Sequence, residues 1–179
     1  TRNLAGTDIG VYYDIDTKFG DFGFKYIGSK TDEFTQDASG EFAFLQSQKE
    51  AGLIPANIPL DGFGDLLGMD GNYDTKHTVK ASWRLGDWGA TMSMLQKGEF
   101  YQNSLTLSDG TRYVIPEMTT IDATVSYSFR MNGNKARLRF AVKNLEDERA
   151  PLADRYYGYY ADAHQDYGRN YYLDLRVTF

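Results

Sequence analysis

At 179 residues the chain is long enough for one domain, and it contains no cysteine, so neither a disulfide nor a thiolate metal site holds it together. Its 25 acidic and 19 basic side chains give a net charge of −6, which argues against nucleic acid as a partner, since that needs a basic face or tract. No run approaches the roughly 18 apolar residues of a membrane helix, and a mean hydropathy of −0.53 taken alone would describe a soluble acidic protein.

The side-chain inventory points elsewhere. Fourteen Tyr, 11 Phe and 18 Gly stand against only 4 Pro. Aromatic enrichment suits strands and the interfacial girdles of membrane barrels, whose strands cross with about ten residues, every second one facing lipid.

Thr1 to Gly6 has no charged n-region or apolar h-region, so no signal peptide is read there, and the chain is expected to be mature or to begin partway through a longer polypeptide. Ile9, Val11, Tyr13 and Ile15 then alternate with Asp8, Gly10, Tyr12 and Asp14, which predicts a strand with one apolar face. A tight turn between Asp16 and Asp21 leads into Phe22, Phe24 and Tyr26. A long polar stretch follows, from about Lys30 to Asp74. His77, Val79, Ala81 and Trp83 form the next alternating set, and a turn at Leu85–Asp87 reverses the chain into Trp88, Ala90, Met92 and Met94.

A second long segment, Lys97 to Glu117, precedes Ile121, Ala123, Val125, Tyr127 and Phe129. Asn132-Gly133 then predicts a type I′ hairpin, because both positions of that turn need positive φ. Leu138, Phe140 and Val142 return the chain. A third long loop, Glu146 to Tyr167, ends in Tyr171, Leu173, Leu175, Val177 and Phe179.

Seven strands are thus predicted, with short and long connections alternating throughout. That asymmetry is the pattern of short periplasmic turns and long extracellular loops in transmembrane β-barrels. The predicted fold is all-β, a transmembrane antiparallel β-barrel. Trp83 and Trp88 flank one turn on the apolar face, and Phe22, Phe129 and Phe179 are expected to form one aromatic girdle at the inner interface. The opposite face carries Lys25, Lys76, Lys80, Arg137, Arg139, Lys143 and Arg176 with Asp122 and Asp174, suited to a polar lumen or to contacts with a plug. A soluble β-sandwich would also alternate, but a loop of some forty residues is unusual there. Complete single-chain bacterial barrels have even strand numbers, so an odd count predicts that residues 1–179 are the C-terminal portion of a larger barrel.

Three segments carry a family resemblance. Val142-Lys143-Asn144-Leu145-Glu146-Asp147 resembles the V-x-N-L-x-D/N element that ends the penultimate strand of TonB-dependent outer-membrane transporters. Gly168-Arg169-Asn170-Tyr171-Tyr172, running into a terminal strand that ends on Phe179, is similar to that family's closing strand. Ile121 to Tyr127, before the Asn-Gly hairpin, resembles the strand preceding it. The match to Thr1–Asp70 is one of general pattern only.

The resemblance implies a roughly 22-stranded barrel with an N-terminal plug domain, importing a scarce solute such as a siderophore or carbohydrate across the outer membrane of a Gram-negative bacterium. It further implies outer-membrane lipid, the plug, the TonB complex and the barrel-assembly machinery, the last through Phe179, as partners. Neither plug nor TonB box lies within this sequence. A passive porin or small structural barrel is the alternative. An outer-membrane enzyme would need a Ser/His or acidic constellation, and none is read.

No catalytic residue, cofactor or metal ligand set is assigned. His77 and His164 are expected to be structural or on the surface. Gly62 to Gly68 reads as loop glycine, since no parallel strand precedes it and no helix follows. Asp70 to Asp74 begins like a calcium loop but has Thr75 where glycine is needed and Ala81 where the bidentate glutamate belongs, so solvated charge is the preferred interpretation.

The ligand-binding candidates are Arg155, Tyr156, Tyr157, Tyr159 and Tyr160. Their rings could stack on an oligosaccharide or a flat small molecule, and the guanidinium could pair with an anion. The alternative for them is an aromatic collar at the outer interface. Phe42, Phe44, Tyr101 and Tyr113 are fainter candidates. Asp32, Glu33, Asp37, Glu41, Glu50, Asp61 and Asp65 make the first long loop acidic, which leans against anionic solutes. Asn144 and Arg169 are expected to shape the strand ends beside the last loop.

Overall fold

The computed structural model describes residues 1–55, 58, 60 and 62–178. Phe179, on which the predicted terminal signature and part of the girdle rest, and Asp61 of the acidic loop therefore lie outside the described residues.

The seven predicted strands are present: β1 (Arg2–Thr17), β2 (Gly20–Gln36), β4 (Thr75–Leu85), β5 (Trp88–Lys97), β8 (Met118–Met131), β9 (Asn134–Lys143) and β10 (Asn170–Thr178). They form one antiparallel sheet in that spatial order, so each strand pairs with the next long strand of the chain. Two-residue turns join β1 to β2, β4 to β5 and β8 to β9, and the three long connections all leave from the opposite end. Asn132 and Gly133 have φ of 50° and 81°, as a type I′ turn requires.

Register turns the alternation within each strand into two faces. One row runs Tyr13, Phe24, Ala81, Met92, Ala123, Val142 and Tyr171 across all seven strands, and the next runs Ile15, Phe22, Trp83, Ala90, Val125, Phe140 and Leu173. Leu85, Trp88, Tyr127, Leu138 and Leu175 continue the pattern. Among the described residues no second layer packs on this face. Met92, Val125 and Phe140 are about half exposed, and Leu173 is 73% exposed.

The rows between carry polar groups, such as Asp14, Gly23, Ser82, Thr91 and Thr124. The charged residues assigned to the opposite face do share it. Lys25 lies across from Lys80, Arg139 pairs with Asp174 at 3.9 Å, and Lys143 with Asp122 at 2.5 Å.

The strands are also staggered in one direction. On the row Tyr12–Lys25–Lys80–Ser93–Asp122, β9 and β10 have reached their long-loop end at Lys143 and Asn170, whereas β1 runs on to Arg2, 12 − 2 = 10 residues further. At the other end, Thr17, Leu85, Trp88 and Tyr127 are level, and β8 continues to Met131, 131 − 127 = 4 residues further. This stagger corrects the girdle as drawn from sequence. Phe22 shares its row with Val125, and Phe129 lies four residues beyond, so the aromatics form a stepped line. Within that line Trp88 contacts Tyr127 at 4.7 Å, and Tyr127 stacks on Phe129 at 6.1 Å.

The sheet is open. Among the described residues β1 and β10 are its two edges, and no ladder joins them into a closed barrel. The long loops are also less featureless than the sequence implies. The first holds α1 (Glu41–Glu50) and β3 (Gly64–Asp65), and the second holds the hairpin β6 (Phe100–Thr106) and β7 (Arg112–Ile115). The best-buried apolar cluster sits in these loops: Phe100 and Ile115 with Tyr160 and Ala163 of the third loop, flanked by Tyr73, Tyr113 and Ala153. At its long-loop end the sheet thus carries a cap with its own small core.

Candidate functional site

The third long loop is closed at its neck by the residues that carried the family resemblance. Asn144, at φ 54°, exchanges two hydrogen bonds with the Glu148 backbone, its amide donating to the Glu148 carbonyl at 2.7 Å and its oxygen accepting from the Glu148 N–H at 2.9 Å. The Asn144 N–H donates to Asp122. Asp147 accepts from the Arg169 N–H at 2.6 Å. Gly168 sits at φ 66°, and a Cβ there would come within 2.9 Å of the same Asp147 oxygen, so both backbone angle and space call for glycine. The two motifs are halves of one clasp. A second tie lies just above, where Arg149 forks onto Asp166 at 2.7 and 2.6 Å and the Ala150 N–H adds a third bond. The guanidinium, with that N–H, holds the Asp166 carboxyl down at about 2.

The five candidate residues separate into two groups. Tyr160 is buried in the cap core, with its ring edge-on to Phe100 at 5.0 Å. Its hydroxyl donates to Asp70 Oδ1 at 2.5 Å. Arg155 lies over the Tyr160 ring, donates to its hydroxyl oxygen at 3.0 Å and stands 3.5 Å from Asp70. Asp70, read from sequence as solvated or calcium-like, is therefore the hub of a polar knot that also accepts from the Asn103 N–H. Among the described residues no group of three His, Asp or Glu side chains is close enough to hold a metal ion.

Tyr156, Tyr157 and Tyr159 form the other group, with rings 5.0 and 6.3 Å apart; Tyr156 is 95% exposed, Tyr157 is exposed and Tyr159 is half-buried. The knot fixes the base from which these three rings project. Of the fainter candidates, Tyr113 packs on the cap core and donates to the Leu152 carbonyl, Tyr101 lies under Arg112, and Phe42 and Phe44 are exposed on α1.

Burial, more than Asp70, raises the Tyr160 phenol to about 12. Tyr160 is thus harder to ionise in the folded cap than in the unfolded chain. Its contribution to cap stability is complete below pH 10 and is lost as pH rises from 10 to about 12. A near-ultraviolet circular dichroism titration is expected to show loss of aromatic packing in that window for the native chain. In Tyr160→Phe, which cannot ionise, that step is expected to be absent.

Gln102 was not singled out from sequence, and His164 and His77 were expected there to be structural or on the surface. Gln102 is fully buried and joins β6 to the third loop, accepting from the Asp154 N–H and donating to the Asp154 carbonyl, each at 2.9 Å. His164 is 2% exposed and stacks on Phe100 at 5.7 Å. His77, in contrast, lies on the apolar face, where its Nδ1 is 2.9 Å from the Tyr26 hydroxyl.

Beneath the third loop, a cavity of about 630 Å³ opens on the polar face of the sheet. Lys76, Asp122, Lys143 and Tyr172 line its sheet side, with Gln165 and Tyr167 of the loop over it. A recess of about 80 Å³ shares Leu95, Thr120 and Gln165 with this cavity and adds Lys97, Met118 and His164. A further cavity of about 370 Å³ lies at the short-turn end, among Asp14, Asp16, Asp21, Arg84 and Arg137. The arrangement provides a polar chamber under a folded cap.

Compared with family models, with curated proteins and with solved structures, the chain matches none.

Proposed function

We propose that this chain forms part of the wall and outer vestibule of an outer-membrane β-barrel, of the kind found in TonB-dependent transporters, and takes part in uptake of a scarce solute. The observation that carries this reading is the uncovered apolar face, continuous over seven strands, backed by a face lined with charges and cavities. A water-soluble sheet would bury the first against a second layer, because contiguous exposed apolar patches beyond a few hundred Å² are rare on soluble monomers. A lipid-embedded wall has the opposite need, apolar outside and polar inside.

The one-directional stagger supports the same reading, since closing a sheet into a barrel needs tilted, sheared strands. Two open edges call for further strands to complete the wall. On this reading the two-residue turns face the periplasm, and the cap with Tyr156, Tyr157 and Tyr159 faces outward to meet the ligand. Arg155 and Tyr160 would position them. The charged polar face would meet a plug, and the 370 Å³ acidic–basic cavity at the short-turn end is where such a domain would seat.

The test is the native polypeptide, extracted from the outer membrane in detergent and characterised by mass and N-terminal sequence. A chain several times longer, inserted in the membrane and carrying a plug and TonB-contacting segment, is the expected result. A membrane-inserted chain with no plug would point to a passive porin or small structural barrel. Recovery in the soluble fraction would sink the proposal.

A further inference from the structure

His164 poses a specific problem in polar accounting. It is 2% exposed, and both ring nitrogens lack a hydrogen-bond partner among the described residues. A buried imidazole needs a partner for each nitrogen, and leaving one unmade costs about 1–3 kcal/mol. His164 lines the 80 Å³ recess, which is larger than one water needs and shares Leu95, Thr120 and Gln165 with the lining of the 630 Å³ chamber.

The formal charge in the lining of this recess is a cation. Lys97 lines it, and its ammonium donates to the carbonyl of Ala163, next to His164. Directly across the ladder from Lys97 is Lys76, on the same polar face and lining the chamber. Like charges placed opposite each other destabilise a sheet, yet among the described residues neither lysine makes an ion pair. The acidic positions nearest by register are Glu117, beside Met118 across from Lys97, and Glu99, two residues past Lys97, followed by Asp74 and Asp8. Glu117 accepts a hydrogen bond from Gln96, and Glu99 lines a pocket outside the recess. Asp8 is on the row of Lys76 but two strands away, about 10 Å. Asp74 bonds Thr75 and lines a separate pocket. Asp122 is taken up by Lys143. Burial, and then the charge of Lys97, hold His164 below the ordinary imidazole range, which favours a neutral ring.

We propose that Lys76, Lys97 and His164 form a binding site for an anionic group, of carboxylate or phosphate type, on a solute held in the chamber beneath the cap. The anion would sit between the two ammonium groups and accept a hydrogen bond from the imidazole, providing the partner that His164 lacks. It would thereby favour the protonated ring, so binding takes up a proton and tightens as pH falls. This deepens the vestibule reading by naming the solute's charge. It also reverses the lean drawn from the acidic first loop, because the charge that matters is that of the chamber wall.

The experiment uses the full native chain in detergent, with ¹⁵N-labelled histidine, titrated with inorganic phosphate and, separately, with citrate. The His164 signal is assigned from its absence in His164→Gln. Saturable shifts of that signal are expected, with affinity rising by up to about tenfold per pH unit as pH falls through the range where the ring gains its proton. Lys76→Met, at an exposed position that packs in no core, is expected to weaken binding at least tenfold while leaving the fold unchanged by circular dichroism. A response to one anion only would assign the group to phosphate or to carboxylate. No saturable shift with either anion, or equal affinity in Lys76→Met, would overturn the site. These readouts need no membrane or uptake, so failure of the transporter reading would appear in the extraction experiment and not here.

Discussion

Met92→Arg is expected to destabilise the lipid-inserted chain by about 2–4 kcal/mol, whereas Thr91→Arg, one residue away, is expected to change it by about 1 kcal/mol or less. Both positions are on β5, and the side-chain alternation of a strand puts them on opposite faces. Met92 is at the centre of the row Tyr13–Phe24–Ala81–Met92–Ala123–Val142–Tyr171 and is 50% exposed with no protein over it. On the proposed reading a guanidinium there would lie against hydrocarbon. Thr91 faces the polar side and lines the 370 Å³ cavity, where Asp14, Asp16 and Asp21 would receive a new cation. Reversible urea unfolding in phospholipid vesicles measures both. Equal effects from the two substitutions would refute the assignment of the apolar face to lipid.

Phe100→Ala is expected to open the cap at an expense of about 3–5 kcal/mol, the usual range for removing a buried phenyl ring. Phe100 is 2% exposed and joins β6 to the third loop through Tyr160 on one side and His164 on the other. Truncation would leave a cavity between them and loosen the Gln102–Asp154 tie, which holds the same two segments together. The effect should stay local, because the core cluster contains only loop and β6–β7 residues and the sheet is held by its own ladders. Amide hydrogen exchange checks this directly. Faster exchange is expected in 100–115 and 150–166 with β4, β5 and β8 unchanged, and unaltered protection in the loop would show that the cap does not depend on this ring.

The neck of the third loop shows how far single-sequence reading reaches. Asn144 and Arg169 were singled out because they belong to short recognisable motifs; Asn144 bonds four residues on, to Glu148, whereas Arg169 bonds across the neck to Asp147, 22 residues away. That Asp147 and Gly168 meet across the neck was not legible, since the motifs are some twenty residues apart and only pairing of β9 with β10 brings them together. Lys76 and Lys97 lie between these cases. The two-residue turn after Leu85 fixes partners whose numbers add to 85 + 88 = 173, and 76 + 97 gives the same sum. The apposition was therefore available from hairpin arithmetic, and treating Lys97 as the start of a loop concealed it.

What the sequence by itself determined is the wall: seven strands, their turns, and which side chains share a face. A period of two is a local property, and antiparallel neighbours joined by two-residue turns carry it from strand to strand without reference to the rest of the chain. What only the tertiary structure decided is the cap. Leu66 and Met69, Phe100 and Gln102, Ile115, and then Tyr160, Ala163 and His164 come from separate loop segments, with no common period and with polar residues among the most buried. Their burial depends on contacts between segments up to some ninety residues apart, as in the bond from Tyr160 to Asp70. Long-range packing of irregular loops leaves no periodic trace in the chain, so Gln102 and His164 carried no sign in sequence of the positions they occupy in the fold.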